Sequence, residues 1–490
     1  MLTTQPSFKA FILQERTNRK LLIIAIVALS IQIVIFKLLY PYADFFSDSY
    51  SYIFAAANRL DVSIWPIGYS KFIWLIHEIT YSDTALVVIQ YLFIGLSELF
   101  LFFTLLFFYE PDKRAILLIF GFMFLNPLLL YISNYVSSDA IFLALSVLWF
   151  SQLLWIINVP HSSQVFSHAI LLVVMFSIRY NAMYYPIVSA FVFIASRHRL
   201  GYKIVGVFLP VIFIGLFVNY TSNKNYEVTG TKQFSVFGGW QLANNALYMY
   251  PHITLSSPVP KSCMEFQKEV DKYFDIAPPD FKSVSPIEGA FYIKFSHAPL
   301  KQFLNKHTDI DIDNTGGVKS WGAVAPIFSE YGKYLIKDHP LPFTRYYLLP
   351  NAYNYIIPPL EKLEVYNLGT YNVSSIAKYW FHYPHHKVKA VSLHAQGRLL
   401  GIFPTVFLLI NTLFLVSLML WVMGNGIKRN DKVLSITVLT VVILYIANIG
   451  FSVLASPIVF RYQVFPMIIY FSFTMILLGN MDKVQKPVIA

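Results

Sequence analysis

The stretch LLIIAIVALSIQIVIFKLLY, residues 21–40, decides how the rest of the chain is read. It carries one charge, Lys37, in twenty residues, which is the length an α-helix needs to cross a bilayer. Arg16, Arg19 and Lys20 stand before it, as in a secretory signal. The apolar run is too long for a signal core and has no small-residue cleavage pattern, so it is expected to be an uncleaved first span. Similar runs recur along the 490 residues, of which 56% are hydrophobic, 17% aromatic and 13% charged, with a mean hydropathy of +0.56. This composition excludes an ordinary soluble protein of this length and predicts an all-α polytopic membrane protein.

Spans are expected near 20–40, 84–109, 115–133, 139–158, 165–178, 183–197, 201–220, 399–423, 433–455 and 462–480, about ten transmembrane helices with the fifth and sixth short. With the N-terminus in the cytoplasm, Lys113 and Arg114, then Arg197, Arg199 and Lys203, then Lys428, Arg429 and Lys432, and finally Lys483 and Lys486 all fall inside. The net charge of +11 is therefore explained by membrane topology, and nucleic acid is not expected as a partner. The single cysteine, Cys263, can form no internal disulfide, and no Cys/His spacing predicts a zinc site.

Three parts follow: an N-terminal transmembrane module, 1–220, whose first outer loop is 41–83; an extracytoplasmic domain, 221–398, α-rich or α+β; and a C-terminal transmembrane module, 399–490. Within 221–398 the composition turns polar and the breakers APPD, SSPVP, IIPPLE and HYPHH appear, while EFQKEVDKYF and IFSEYGKYLIKD predict short amphipathic helices. In 41–83, Asp48, Tyr52 and Ala56 share one helical face, and WPIGYSKFIW breaks at Pro66 and Gly68 before Lys71, so two short interfacial helices are expected around a turn.

Asp48, Asp139, Arg179 and Arg461 come from distant parts of the chain but fall on the same, outer side of this topology. Asp139 also reads as a helix N-cap and the arginines as headgroup anchors. In FGGWQLANNALYMY, Trp240 offers either a stacking face for a sugar or a packing group. DIDIDN, with Asp309, Asp311 and Asp313, mimics the start of a calcium loop but has Asn314 in place of the glycine and Ser320 in place of the closing acid. His382, His385, His386 and His394 read as a solvated loop rather than a metal site.

The acid after span one, the link NPLLLYISNYVSSDAIF with a second acid entering span four, IRYNAMYYP and a late FRYQVFP together resemble the GT-C superfamily of integral membrane glycosyltransferases, which includes protein O-mannosyltransferases and the lipid A aminoarabinose transferase. The resemblance covers the first 220 residues and the last three spans. It implies a cell inner (plasma) membrane enzyme that moves a hexosyl or pentosyl group from a polyprenyl-phosphate donor to an extracytoplasmic acceptor, whether glycan, lipid or protein, usually with inversion. It further implies Asp48 as catalytic base, Asp139 as its companion, and Arg461 of the R-Y-x-x-x-P motif, with Tyr462, near the donor phosphate. Tyr52, Lys71, Arg179 and Trp240 complete the expected substrate-binding set. Asp44 is the alternative first-loop acid. Ser49 stands where many relatives have a second acid, and the paired prolines of some relatives are reduced to Pro66, which leaves acceptor type and any divalent metal open. The competing readings are a transporter or flippase of lipid-linked sugars and a polysaccharide polymerase or ligase.

Overall fold

The computed structural model describes residues 6–282, 284–308, 315–429 and 432–485. Asp309, Asp311, Asp313 and Lys486 lie outside the described residues, as do the side chains of Lys428, Arg429 and Lys483.

Eight helices are long and apolar enough to cross a membrane: Arg16–Leu39, Asp83–Tyr109, Lys113–Asn134, Asp139–Asn158, Leu200–Thr229, Ala395–Met423, Lys432–Ala455 and Phe460–Asn480. Two shorter apolar helices, Ser162–Ile178 and Tyr180–Ala195, stand between the fourth and fifth of these. The protein is thus an all-α, multi-pass membrane protein, 77% helical, and the described residues contain no strand, only two isolated bridges. Helix Arg16–Leu39 presents Ile24, Ile31, Val34 and Leu38 outward, as a lipid-facing helix does, whereas Asp139–Asn158 is enclosed by its neighbours.

The breaks in this bundle matter more than its spans. Pro127 cannot donate a backbone hydrogen bond, so Lys113–Asn134 is interrupted there, and Asn126 Oδ1 accepts from the Leu128 N–H at 3.1 Å. Arg179 has extended backbone (φ −151°) and separates Ser162–Ile178 from the tight turn Tyr180–Tyr184, after which Pro186 enters the next helix. The second break frees Arg179 from the helical repeat at the end of the bundle where Asp139 begins its helix.

That end is tied together by the chain entering and leaving it. The Asp44 N–H donates to the Asn134 carbonyl (2.8 Å) and the Val136 N–H to the Asp44 carbonyl (3.0 Å), joining the exit of the first span to the exit of the third. Asp83, at the start of the second span, accepts from the Ala43 N–H and the Tyr383 hydroxyl, both at 2.7 Å. Residues 41–83 form the helices Ser47–Ala57 and Gly68–His77 around a turn, as their pattern predicts.

The expected amphipathic segments are the helices Met264–Ile276 and Val318–Asp338. With Val236–Leu247 and Pro299–His307 they enclose a second apolar cluster, running from Trp240 to Tyr347 and separate from that of the bundle. Val236–Leu247 and Val318–Asp338 cross so closely that a Cβ at Gly239 would lie 2.1 Å from the Ala325 carbonyl oxygen, and one at Gly332 would lie 2.9 Å from the Leu242 backbone. The segment from Tyr355 to Leu400 returns to the core of the bundle.

Candidate functional site

Asp139 is the first residue of its helix rather than its N-cap, which is Ser138. Its carboxylate turns inward, accepting from Ser137 Oγ at 2.7 Å and pairing with Arg179. Arg461 approaches the same carboxylate, with Nε 3.9 Å from Oδ2. Both guanidinium groups are buried, Arg179 13% and Arg461 9% exposed, so neither is a headgroup anchor. Tyr462 lies between them: Arg179 stacks on its ring at 4.3 Å, and Arg461 Nη2 donates to its hydroxyl at 3.0 Å.

Arg461 has a second acid beside it, Glu361, at 3.5 Å. Its Nε and Glu361 Oε2 find no hydrogen-bond partner among the described residues. Both acids therefore sit just beyond ordinary hydrogen-bond distance of the guanidinium, which they hold by charge rather than by short bonds. Lys294 holds the other Glu361 oxygen at 2.5 Å. Burial alone would raise the Glu361 carboxyl, but Arg461, Lys294 and Lys362 outweigh it and hold it at about 2.

Asp48 stands in the first turn of Ser47–Ala57 and pairs with Lys362 Nζ at 3.0 Å. It does not touch Asp139. The link between the two acids is Phe46, whose ring lies under Lys362 at 4.0 Å and under Arg461 at 5.4 Å. Tyr52 makes a second link, its hydroxyl 3.2 Å from Ser138 Oγ.

Glu361, Lys362 and Phe46 are absent from the expectations drawn from sequence. The signal for the first two is a charged pair just after Pro358 and Pro359, in a segment noted only for its helix breakers. They are brought here by backbone bonds: the Phe460 N–H donates to the Pro359 carbonyl at 2.9 Å, and the Tyr135 hydroxyl donates to the Lys362 carbonyl. Glu361 takes a left-handed conformation, φ 55°, which a side-chain-bearing residue adopts at a cost.

Two expected residues stand elsewhere. Lys71 donates to the Arg59 carbonyl (3.4 Å) and pairs with Asp61 (3.5 Å) at the surface, because the Pro66–Gly68 turn directs its helix away from the arginines. Trp240 is fully buried in the second apolar cluster, stacked on Trp321 at 4.1 Å with Nε1 bonded to the Trp321 carbonyl, and so has no free face for a sugar. Asp44, the alternative acid, is buried and accepts from the Asn367 N–H at 2.7 Å; burial pushes its carboxyl up to about 8 against its hydrogen bonds. Its role is to hold the loop 365–373 on the bundle.

Asp139, Arg179, Arg461 and Tyr462 line a narrow cavity of about 30 Å³ together with Phe142, Phe451 and Phe465 and the polar Asn181 and Asn448. Asp48 does not line this cavity and reaches it through Lys362 and Phe46. Counted over the described residues, Arg179, Arg461, Lys362 and Lys294 face Asp48, Asp139 and Glu361, an excess of one positive charge. This positive excess favours an anion at the site, with carboxylates beside it. No group of three His, Cys, Asp or Glu side chains among the described residues is arranged to hold a metal ion. The chain matches no family model, no curated protein and no solved structure.

Proposed function

We propose that this protein is a GT-C type glycosyltransferase that moves a sugar from a polyprenyl-phosphate donor to an acceptor on the extracytoplasmic face of the cell's inner membrane. The observation that carries the proposal is the convergence of two buried arginines on one carboxylate beside a small cavity among the membrane-spanning helices. A polyprenyl phosphate has the matching form, an anionic head on a chain that stays in hydrocarbon. The positive charge of Arg461 and Arg179 supports this reading, since guanidinium groups recognise phosphate.

In the reaction, the acceptor hydroxyl oxygen bonds to the anomeric carbon as the bond from that carbon to the phosphate oxygen breaks. The hydroxyl proton passes to Asp48, and the departing phosphate gains a negative charge that Arg461 and Arg179 stabilise. One displacement inverts the anomeric centre. Asp139 orients the two guanidinium groups, and Lys362 holds Asp48 through Oδ2 while Oδ1 accepts only a long 3.3 Å bond from Ser47 Oγ, a contact that an acceptor hydroxyl would replace. Basic clusters at the opposite end of the helices support the outward orientation of the site.

The test is purified protein in nanodiscs with a panel of radiolabelled polyprenyl-phosphate sugars. Wild type is expected to transfer or hydrolyse at least one donor, and Asp48→Asn to slow transfer by about 10²–10⁴-fold, the usual contribution of a general base. A wild-type protein inert toward the whole panel overturns the proposal; full activity in Asp48→Asn overturns the assignment of the base.

A further inference from the structure

A second concavity, separate from the arginine cavity, lies between the helices Ser47–Ala57 and Gly68–His77 and the segment around Tyr379. Its volume is about 470 Å³, within the roughly 300–1,000 Å³ of small-ligand sites. Trp74, His77 and Trp380 form its floor, while Tyr81 and Tyr379 stand at its rim, 50% and 71% exposed. His77 stacks on Trp380 at 3.6 Å, and Tyr81 packs edge-on against His77 at 4.6 Å. These flat faces are interleaved with polar groups. Trp74 Nε1 and His77 Nδ1 are buried with no hydrogen-bond partner among the described residues. Arg59 pairs with Glu78 at 3.0 Å and lies over the Trp74 ring, and its backbone is left-handed, φ 50°.

The chemistry of the ligand follows from this surface. The guanidinium is already neutralised by Glu78, and burial together with the neighbouring His382 keeps His77 below its ordinary value, so the concavity carries no net charge to attract a phosphate. It has no aliphatic trough for a peptide helix, which needs a row of apolar pockets. The exposed ring of Tyr379 and that of Tyr81, whose other side is stacked on His382 at 4.1 Å, stand beside the polar Arg59–Glu78 pair and match a molecule with C–H faces and hydroxyl edges. Left-handed backbone at a side chain facing a pocket is the strain that functional sites retain.

We infer that this groove is a carbohydrate-binding subsite for the sugar portion of the acceptor, taking an uncharged saccharide that stacks on Tyr379 and Tyr81. The acceptor role rests on the transferase reading; the binding of saccharide does not. Ala56, which lines the groove, and Asp48, the proposed base, lie toward opposite ends of one helix, about 12 Å apart along its axis.

The experiment is calorimetry on the full chain in phospholipid nanodiscs, without donor, in two arms: neutral soluble oligosaccharides, and discs carrying a neutral glycolipid. Binding in the first arm identifies a glycan chain, binding only in the second a glycolipid headgroup, and either supports the inference. Tyr379→Ala and Tyr81→Ala, both at the exposed rim, are expected to weaken binding at least ten-fold, whereas Tyr353→Ala, an exposed aromatic on another helix, leaves it unchanged. No saccharide binding in either arm, or binding that the two rim variants leave intact, overturns the inference. Donor hydrolysis measured on the same preparations separates the outcomes: its absence counts against the transferase reading, and its presence without saccharide binding counts against the groove alone.

Discussion

Replacing Asp139 by asparagine tests the part of the structure on which the site depends. The side chain keeps its size, and its amide oxygen still accepts from Ser137, but Arg179 loses its carboxylate and Arg461 keeps only Glu361 at 3.5 Å. Removing one partner of a buried ion pair costs about 3–5 kcal/mol, because the remaining charge stays desolvated without compensation. An unfolding entropy of roughly 2.1 cal/mol/K per residue over a chain of this length gives about 1 kcal/mol/K, so Tm should fall by about 3–5 °C for a cooperative transition. The assay is thermal unfolding in nanodiscs at pH 7, with the double variant Asp139→Leu/Arg179→Met alongside. That variant removes both charges at similar volume and should regain most of the loss, since buried pairs are often replaceable by apolar groups. A Tm for Asp139→Asn within 1 °C of wild type refutes the reasoning, because the carboxylate then does not hold the guanidinium groups. A double variant less stable than the single one also refutes it, and points to packing rather than charge.

Asp44→Asn should be tolerated at neutral pH, because the native carboxyl, raised to about 8, is largely protonated there and asparagine keeps the acceptor for the Asn367 N–H. A raised native value means stability that is full below the unfolded carboxylate value near 4 and is lost as pH rises through about 8, so the wild type should lose Tm across that window and Asp44→Asn should not. Glu361→Gln should do the reverse. The native carboxyl is held at about 2, so it contributes stability above its unfolded value near 4.5 that disappears as pH falls toward 2. That contribution is of the order of 3 kcal/mol at neutral pH, and parallel acid-unfolding curves for wild type and Glu361→Gln count against it. Gly239→Ala should destabilise the crossing of Val236–Leu247 with Val318–Asp338 by about 1–3 kcal/mol, since the new methyl meets a backbone carbonyl; it is read as increased proteolysis between residues 236 and 347.

The membrane-spanning architecture is legible in the chain itself because the bilayer imposes a local rule: twenty apolar residues must satisfy their own backbone bonds, and only a helix does so. Runs such as residues 21–40 therefore declare both their structure and their environment, and the short fifth and sixth helices were visible from the same rule. Alternation of direction along these helices also brings Asp139, Arg179 and Arg461 to one end of the bundle. What the one-dimensional pattern does not contain is which charges at that end touch. Lys71 and Arg461 look equally suited to a phosphate, yet the turn at Pro66–Gly68 sends Lys71 to Asp61, while the Pro359 carbonyl, bonded to the Phe460 N–H, brings Glu361 and Lys362 against Arg461 and Asp48 from a loop with no helical or sheet periodicity. Trp240 likewise reads as a sugar platform or a core residue until Trp321, eighty-one positions away, covers its face. Local hydropathy determined the helices; long-range backbone hydrogen bonds and side-chain packing decided the site, because the energy of a buried charge depends on partners that are neighbours only after folding.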